Sequence, residues 1–341
     1  MTQETSFSNL IREFEEIASW GYPEIASHLP SGRIPIGYFC PYVPEELLQA
    51  CGAVPIRLMD MPVKISHAQA HLPAYCCHLV KSSLENYLRG NLDFLKGMVF
   101  SQSCDSMKGL AEIWALQGRL SFQFNLMVPT RLDSSLARDY FKTELEGFKT
   151  FLEKKIGPIS QESLQEAIRI FNRIREQLRI LYARRRLDPN RLSGKELAQI
   201  IRAGYQMDRD RYLDLLNRLC LAWPKQPDGE PSVVPIYLSG NMVHAGEWFS
   251  LIEEAGARIM ADDLCSGGRT LRLTVPEDKD PLEALGDRYF TTYLCPTKYQ
   301  GPLAHQEILF KEVQESGAKG VIFLFYKFCE PYYFDYPDLK K

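Results

Sequence analysis

Two stretches of this 341-residue chain alternate short β-rich runs with helical segments, and a long stretch without any strand signal separates them. In the first, IPIGYF, AVPIRL, GMVF and FQFNLMVP read as strands. Helices are expected between them at about 44–51, 75–89 and 105–117. Pro44 followed by Glu45 and Glu46 is a good helix start, because proline suits the first turn and acids favour its positive end. In the second, VVPIYLSG, ARIMADDL and GVIFLFYK read as strands, with helices near 244–256, 281–291 and 302–316. Such alternation demands a parallel sheet wound with crossover helices.

The middle stretch, about 134–222, is helical. Phe171, Ile174, Leu178 and Leu181 make an apolar stripe at helical spacing. Ser193 and Glu196 form a capping box. Arg173, Arg175, Arg179, Arg184, Arg185 and Arg186 read as a solvated helix face, with a phosphorylated ligand as the alternative. A Pro- and Gly-bearing linker, AWPKQPDGEPS, marks a boundary near residue 228. The expected fold is α/β: two doubly wound parallel-sheet lobes, 1–133 and 228–341, facing a shared crevice, with the helical segment 134–227 between them. Because YPDLKK follows soon after a strand, the second lobe is expected to be shortened at its C-terminus.

Composition narrows the function. Lys and Arg number 40 against 43 acids, for a net charge of −3. No basic excess is available to neutralise phosphates, which argues against nucleic acid as the main partner. No apolar run approaches the roughly 20 residues of a membrane span. The N-terminus is acidic and amphipathic, unlike a signal peptide. The expectation is a soluble cytoplasmic protein without membrane or nucleic-acid partners.

Nine cysteines stand out. In a chain without an export signal, metal or redox use is a better reading than disulfides. Cys51 and Cys220 lie inside helical patterns and read as core. Cys40, Cys104, Cys265 and Cys329 each fall at or just past the carboxyl end of a strand, where open α/β sheets hold ligands. Adjacent Cys76 and Cys77 begin a helix, whose positive end favours thiolate. No pair has the two-residue spacing of zinc ribbons or ferredoxins. A site assembled from distant loops, holding an iron–sulfur cluster, fits the pattern.

Rival motifs are weak. Neither a dinucleotide fingerprint nor a phosphate loop is present. LSGNMVHAGE follows a strand and opens a helix, so it could bind an anion, although an ordinary helix entry is the better explanation. His78 and His244 read as structural. Glu45 and Glu46 follow Cys40 closely enough to reach the same crevice, where one could act as acid or base.

The segments GYFCPYVPEELLQACGAVPIRL, LPAYCCHLVKSSL, SQSCDSMKGLAEIW, ADDLCSGGRT and FLFYKFCEPYYFDYP resemble successive motifs of the 2-hydroxyacyl-CoA dehydratase and benzoyl-CoA reductase subunit family. The resemblance runs from about residue 35 to the last. It implies a [4Fe–4S] cluster between α/β lobes, held by Cys77, Cys104 and Cys329, with Cys76 competing for the place of Cys77. It also implies a 2-hydroxyacyl-CoA substrate, a homologous second subunit in a heterodimer, and a separate ATP-dependent iron–sulfur activator that injects a low-potential electron. A ketyl radical then expels the hydroxyl; the benzoyl-CoA branch reduces a ring instead. Related double-cubane [8Fe–9S] reductases use additional thiols, for which Cys40, Cys265 and Cys295 are available. A non-catalytic, electron-carrying subunit is the other alternative. The acyl-CoA is expected in the crevice, near Ser103 and Ser239.

Overall fold

The computed structural model describes residues 6–225, 233–242, 247–292 and 295–341. The expected boundary near residue 228, and His244 with its helix entry, lie outside the described residues. Helices α1 (Phe7–Ser19) and α2 (Tyr22–Ser27) precede β1 (Ile34–Tyr38), α3 (Glu45–Ala50), β2 (Ala53–Arg57), α4 (His78–Leu88), β3 (Gly97–Ser101), α5 (Asp105–Gln117) and β4 (Phe122–Leu126). Then come α6 (Ser135–Lys155), α7 (Gln161–Leu187), α8 (Gly194–Gln206) and α9 (Arg209–Leu221). The second sheet region comprises β5 (Val234–Gly240), α10 (Glu247–Glu254), β6 (Ala257–Asp262), α11 (Pro281–Thr292), α12 (Ala304–Ser316), β7 (Gly320–Leu324) and α13 (Glu330–Leu339).

The two sheets are wound alike. All pairings are parallel, in the orders β2-β1-β3-β4 and β6-β5-β7. In each, the first strand is central, the chain moves to one side, then crosses back to the other. The sheets therefore have equivalent switch points, between β1 and β3 and between β5 and β7, where α/β folds open a crevice at the strand ends. Helix α13 follows β7 as α5 follows β3. The sequence pattern does not predict this last helix. Gly240 lets β7 approach: a side-chain carbon there would fall 1.8 Å from the Leu324 carbonyl oxygen.

Packing ties the helical stretch to the first sheet. Phe171, Ile174, Leu178 and Leu181 are all buried, as their spacing predicts. One core joins Ile36 and Val99 of the sheet to Phe141, Phe148 and Ile168, and extends to Tyr289 and Phe290. Another joins α4, α5, α8 and α9. The capping box of Ser193 and Glu196 is formed. Two of the six α7 arginines named above depart from a solvated face: Arg175 and Arg185 are buried, whereas Arg173 and Arg186 are exposed as expected. Arg185 donates to the Leu192 carbonyl at 2.7 Å and to Glu253 at 3.0 Å, which pins α7 against α10. A helical wheel shows neither partner, since both come from elsewhere in the chain.

Two devices orient the helices after β2 and β3. In α5, Met107, Leu110, Ala111 and Trp114 form the buried face, and Trp114 stacks on Tyr87 of α4 at 4.0 Å. Within α4, fully buried Glu85 accepts the amides of Ser66, His67 and Ala68 at 2.7–2.9 Å and also the Arg89 guanidinium at 2.7 Å. Burial alone would raise its pKa, but these donors outweigh it and hold the carboxyl far below the usual range. Its folded pKa is depressed, so its stabilisation is complete above the unfolded value of about 4.3 and is lost as pH falls below that. Glu85→Gln should cost about 3 kcal/mol at neutral pH. Its urea midpoint should also fall less between pH 5 and 3 than that of the wild type, and parallel losses would refute this role.

Candidate metal centre

Three helices begin on cysteine. Cys77 is the N-cap of α4, Cys104 of α5 and Cys329 of α13, and none of the three side chains caps its own helix. All three line one open cavity of about 460 Å³, together with Ser103, Asp105, Ser106, Thr297, Phe328 and Phe334 among others. Cys104 leaves the first switch point and Cys329 the second, while Cys77 arrives with the crossover from β2 to β3. The positive ends of three helices thus bear on one space, a setting that favours thiolate and other negative charge. Phe328, just before Cys329, holds the left-handed φ of 66° that costs a non-glycine residue about 1–3 kcal/mol.

The adjacent cysteines divide. Cys76 is buried in the core, whereas half-buried Cys77 lines the cavity. Burial, with mutual repulsion adding to it, governs the acidity of the three cavity thiols. Cys77 is pushed up to about 11, Cys104 and Cys329 to about 12; first-turn amides and, for Cys329, Asn241 pull the other way. A cation bound there would displace the thiol protons.

Cys40, Cys265 and Cys295 form a second set. Cys265 feels the charge of Cys40 and Cys295, Cys40 feels that of Cys295, and Cys104 feels both Cys40 and Cys295. Their surroundings are cationic. Arg269 donates to Cys265 Sγ at 3.3 Å and to Tyr332 Oη at 2.7 Å, and Tyr332 in turn donates to the Gly240 carbonyl at 2.6 Å. Arg57, the last residue of β2, donates to the Cys265 carbonyl at 2.9 Å. Cys40 lies 3.7 Å from Ser103 Oγ, and Thr297 donates to Cys295 at 3.3 Å. Burial pushes the Cys40 thiol up, and takes Cys265 up to about 11 against the pull of Arg269. Cys51 and Cys220 are core residues.

The remaining expected residues fall elsewhere. Glu45 and Glu46 line a separate cavity of about 70 Å³ with Arg57, Arg175, Arg209 and Arg288. Glu45 pairs with Arg209 at 2.6 Å and Glu46 with Arg175. Burial would raise the Glu46 carboxyl, but Arg175 and Arg288 prevail and hold it below its ordinary value. Neither carboxylate lines the thiol cavity, contrary to the expectation from chain proximity to Cys40. The α3 helix turns them away. Ser103 lines the thiol cavity, whereas Ser239 lines a different one with Asp263 and Arg269. His78 pairs with Asp60 at 2.9 Å. Arg57, Asn241, Arg269 and Lys298 escaped the sequence reading, although Arg57 ending an apolar strand and Lys298 three residues past Cys295 were usable signals.

Among the described residues, no three His, Cys, Asp or Glu side chains converge tightly enough to hold a single metal ion. The cavity instead offers thiols from three separate helix starts around one open space. Its lining carries the carboxylates of Asp105, Glu330 and Asp335 besides the three thiols, and thiolates are the donors that hold polynuclear iron–sulfur groups.

The model of the family described as 2-hydroxyglutaryl-CoA dehydratase, D-component, matches residues 40–341. The chain is 26% identical to the (R)-phenyllactyl-CoA dehydratase beta subunit of Clostridium sporogenes, over 96% of this chain and 88% of that one. It is 26% identical to the beta subunit of the (R)-2-hydroxyglutaryl-CoA dehydratase of Acidaminococcus fermentans, over 98% and 90%. Against a benzoyl-CoA reductase subunit of Thauera aromatica the identity is 25%, over 91% and 82%.

Proposed function

Because the chain belongs to the 2-hydroxyglutaryl-CoA dehydratase D-component family, we propose that it is the iron–sulfur subunit of an acyl-CoA dehydratase or a related reductase, with Cys77, Cys104 and Cys329 holding one [4Fe–4S] cluster. The observation that carries this reading is the shared cavity: three cysteines far apart in sequence, each starting a helix, line one space. When bound, such a cluster would supply low-potential one-electron chemistry; the proposed acceptor is the thioester carbonyl of a 2-hydroxyacyl-CoA, which would lose its hydroxyl and a β-proton as water and return the electron, so that the net reaction is dehydration to the enoyl-CoA.

The chain's own residues prepare the space. Three helix ends favour negative charge there. Ser103, Ser106 and Thr297 offer hydroxyls to a polar substrate group, while Phe328, Pro296, Pro331 and Phe334 form apolar walls that limit water. Phe334 is 75% exposed at the rim, so a partner would complete the enclosure. The relatives above are all named as subunits, two of them as beta subunits, which supports a heterodimer with a homologous chain. The proposal includes a separate ATP-dependent activator. No described helix is long and apolar enough to cross a membrane, in keeping with a cytoplasmic site of action.

A second reading draws on Cys40, Cys265 and Cys295: their proximity to the first set would suit a double-cubane [8Fe–9S] cluster. Anaerobic purification with iron and acid-labile sulfide counting separates the two. About four irons per chain are expected for the first reading and about eight for the second. A chain purified with its co-expressed partner and no iron would overturn both. Titration with several acyl-CoAs, with and without the partner and activator, then distinguishes a substrate-binding subunit from one that only carries electrons.

A further inference from the structure

Four buried arginines line the cavity of about 70 Å³ that also holds Glu45 and Glu46. They come from four elements: Arg57 ends β2, Arg175 lies in α7, Arg209 opens α9 and Arg288 lies in α11. Both carboxylates are engaged, Glu45 with Arg209 at 2.6 Å and Glu46 with Arg175. Among the described residues no other acidic side chain lines the space, and burial keeps the phenols of Tyr42, Tyr212 and Tyr289 neutral. Four guanidinium charges thus face two carboxylate charges, and two positive charges are left over. A charge taken out of water is costly unless an opposite charge meets it.

Arg57 is where that imbalance is sharpest. The residue is only 2% exposed. Its Nε donates to the Phe39 carbonyl at 2.8 Å and its Nη1 to the Cys265 carbonyl at 2.9 Å, both uncharged acceptors. Buried Nη2 has no hydrogen-bond partner among the described residues. The guanidinium lies 4.7 Å from the centre of the Tyr205 ring, another wall of the same cavity, which offsets part of the cost of its burial. Two carbonyls and a ring therefore fix the fork and leave one donor unused. Arg288 is also held by backbone, through the Leu273 carbonyl at 3.1 Å and the Thr270 carbonyl at 2.8 Å. Guanidinium forks fixed in this way match the oxygens of an oxyanion and lose little freedom on binding one.

We propose that this cavity is a binding site for a small tetrahedral oxyanion with two negative charges, phosphate or sulfate in water, with Arg57 Nη2 as its anchoring donor and the other three guanidiniums around it. The charge of such an ion equals the two positive charges left over. The space is several times smaller than pockets that take extended ligands, which suits a small ion. Bound there, the ion would join the end of β2 to α7, α9 and α11, and so tie the first sheet to the helical stretch and to the second sheet region. The site needs no iron, so it stands apart from the cluster reading.

The test is equilibrium dialysis of the full chain against radiolabelled phosphate, at mildly alkaline pH where phosphate is mainly a dianion, with ionic strength fixed by sodium chloride. One phosphate per wild-type chain is expected, displaced by sulfate at similar concentrations. Arg57→Met should bind at least about tenfold more weakly. If Arg57→Met does not fold by circular dichroism, Arg57→Lys takes its place with the same expected loss, because a single ammonium lacks the fork. Arg173→Met removes an exposed arginine of α7 and should leave the affinity unchanged. Wild-type protein that takes up no phosphate at millimolar concentrations overturns the proposal. So does a folded Arg57 variant that binds as tightly as the wild type, because the ion would then sit elsewhere. Failure of sulfate to compete, or displacement by chloride at the concentration sulfate needs, overturns the dianion site. Uptake should be equal in iron-containing and iron-free preparations; uptake that follows iron content would overturn the proposal, whereas absence of iron from both would overturn the cluster reading alone.

Discussion

Anaerobically purified Cys104→Ser protein is expected to lose most of its iron while remaining folded. Cys104 sits between β3 and α5, with its helix anchored independently by Met107, Leu110, Ala111 and Trp114. Cys104 packs against the edge of the core, so removing its sulfur should delete the proposed donor at a small cost in packing. A serine hydroxyl is a poor substitute, because soft iron–sulfur centres are held by thiolates. The same loss is expected for Cys77→Ser and Cys329→Ser, the other two cysteines of the cavity. Cys76→Ser and Cys51→Ser are the controls: both residues are core, so they should lower stability and spare the iron. Full iron retention in Cys104→Ser would refute the ligand assignment, and iron loss confined to Cys76→Ser would reverse the choice between the neighbours.

The second large effect concerns stability. Glu46→Ala should cost about 3–5 kcal/mol, since it leaves the buried Arg175 guanidinium without its carboxylate. The pair joins α3 to α7 across 129 positions of sequence, so its loss should loosen the helix that follows Cys40 from the helical stretch. Replacing both residues with leucine should recover much of that cost, because an apolar pair needs no counter-charge. The measurement is the urea midpoint of the two single variants and the double variant. Equal midpoints for Glu46→Ala and the wild type would remove the ion pair from the account of this fold. Iron retained in the folded Glu46→Ala protein would further separate this residue from the thiol cavity.

Much of the architecture was legible because it is local. Six of the seven described strands lie within runs recognised by their β-rich composition, and β3 extends one residue past GMVF. The capping box and the stripe on α7 needed only spacing. The last helix was missed because EPYYFDYPDL carries a proline inside it and little amphipathic contrast, so periodicity was silent. The burial of Arg175 and Arg185 was equally illegible: whether an arginine on a helix faces water depends on which carboxylates and carbonyls the fold brings to it.

The site divides in the same way. Sequence alone determined that cysteines follow strand ends and begin helices, because strand, turn and helix entry are short-range features governed by backbone propensity. It also carried the family motifs around Cys77, Cys104 and Cys329. Tertiary structure decided which thiols share a space. Rotation at the start of α4 sends Cys77 to the cavity and Cys76 to the core, and the first turn of α3 aims Glu45 and Glu46 at arginines. Side-chain direction and the pairing of buried charge depend on groups brought together from more than a hundred positions away, and no local pattern encodes that meeting.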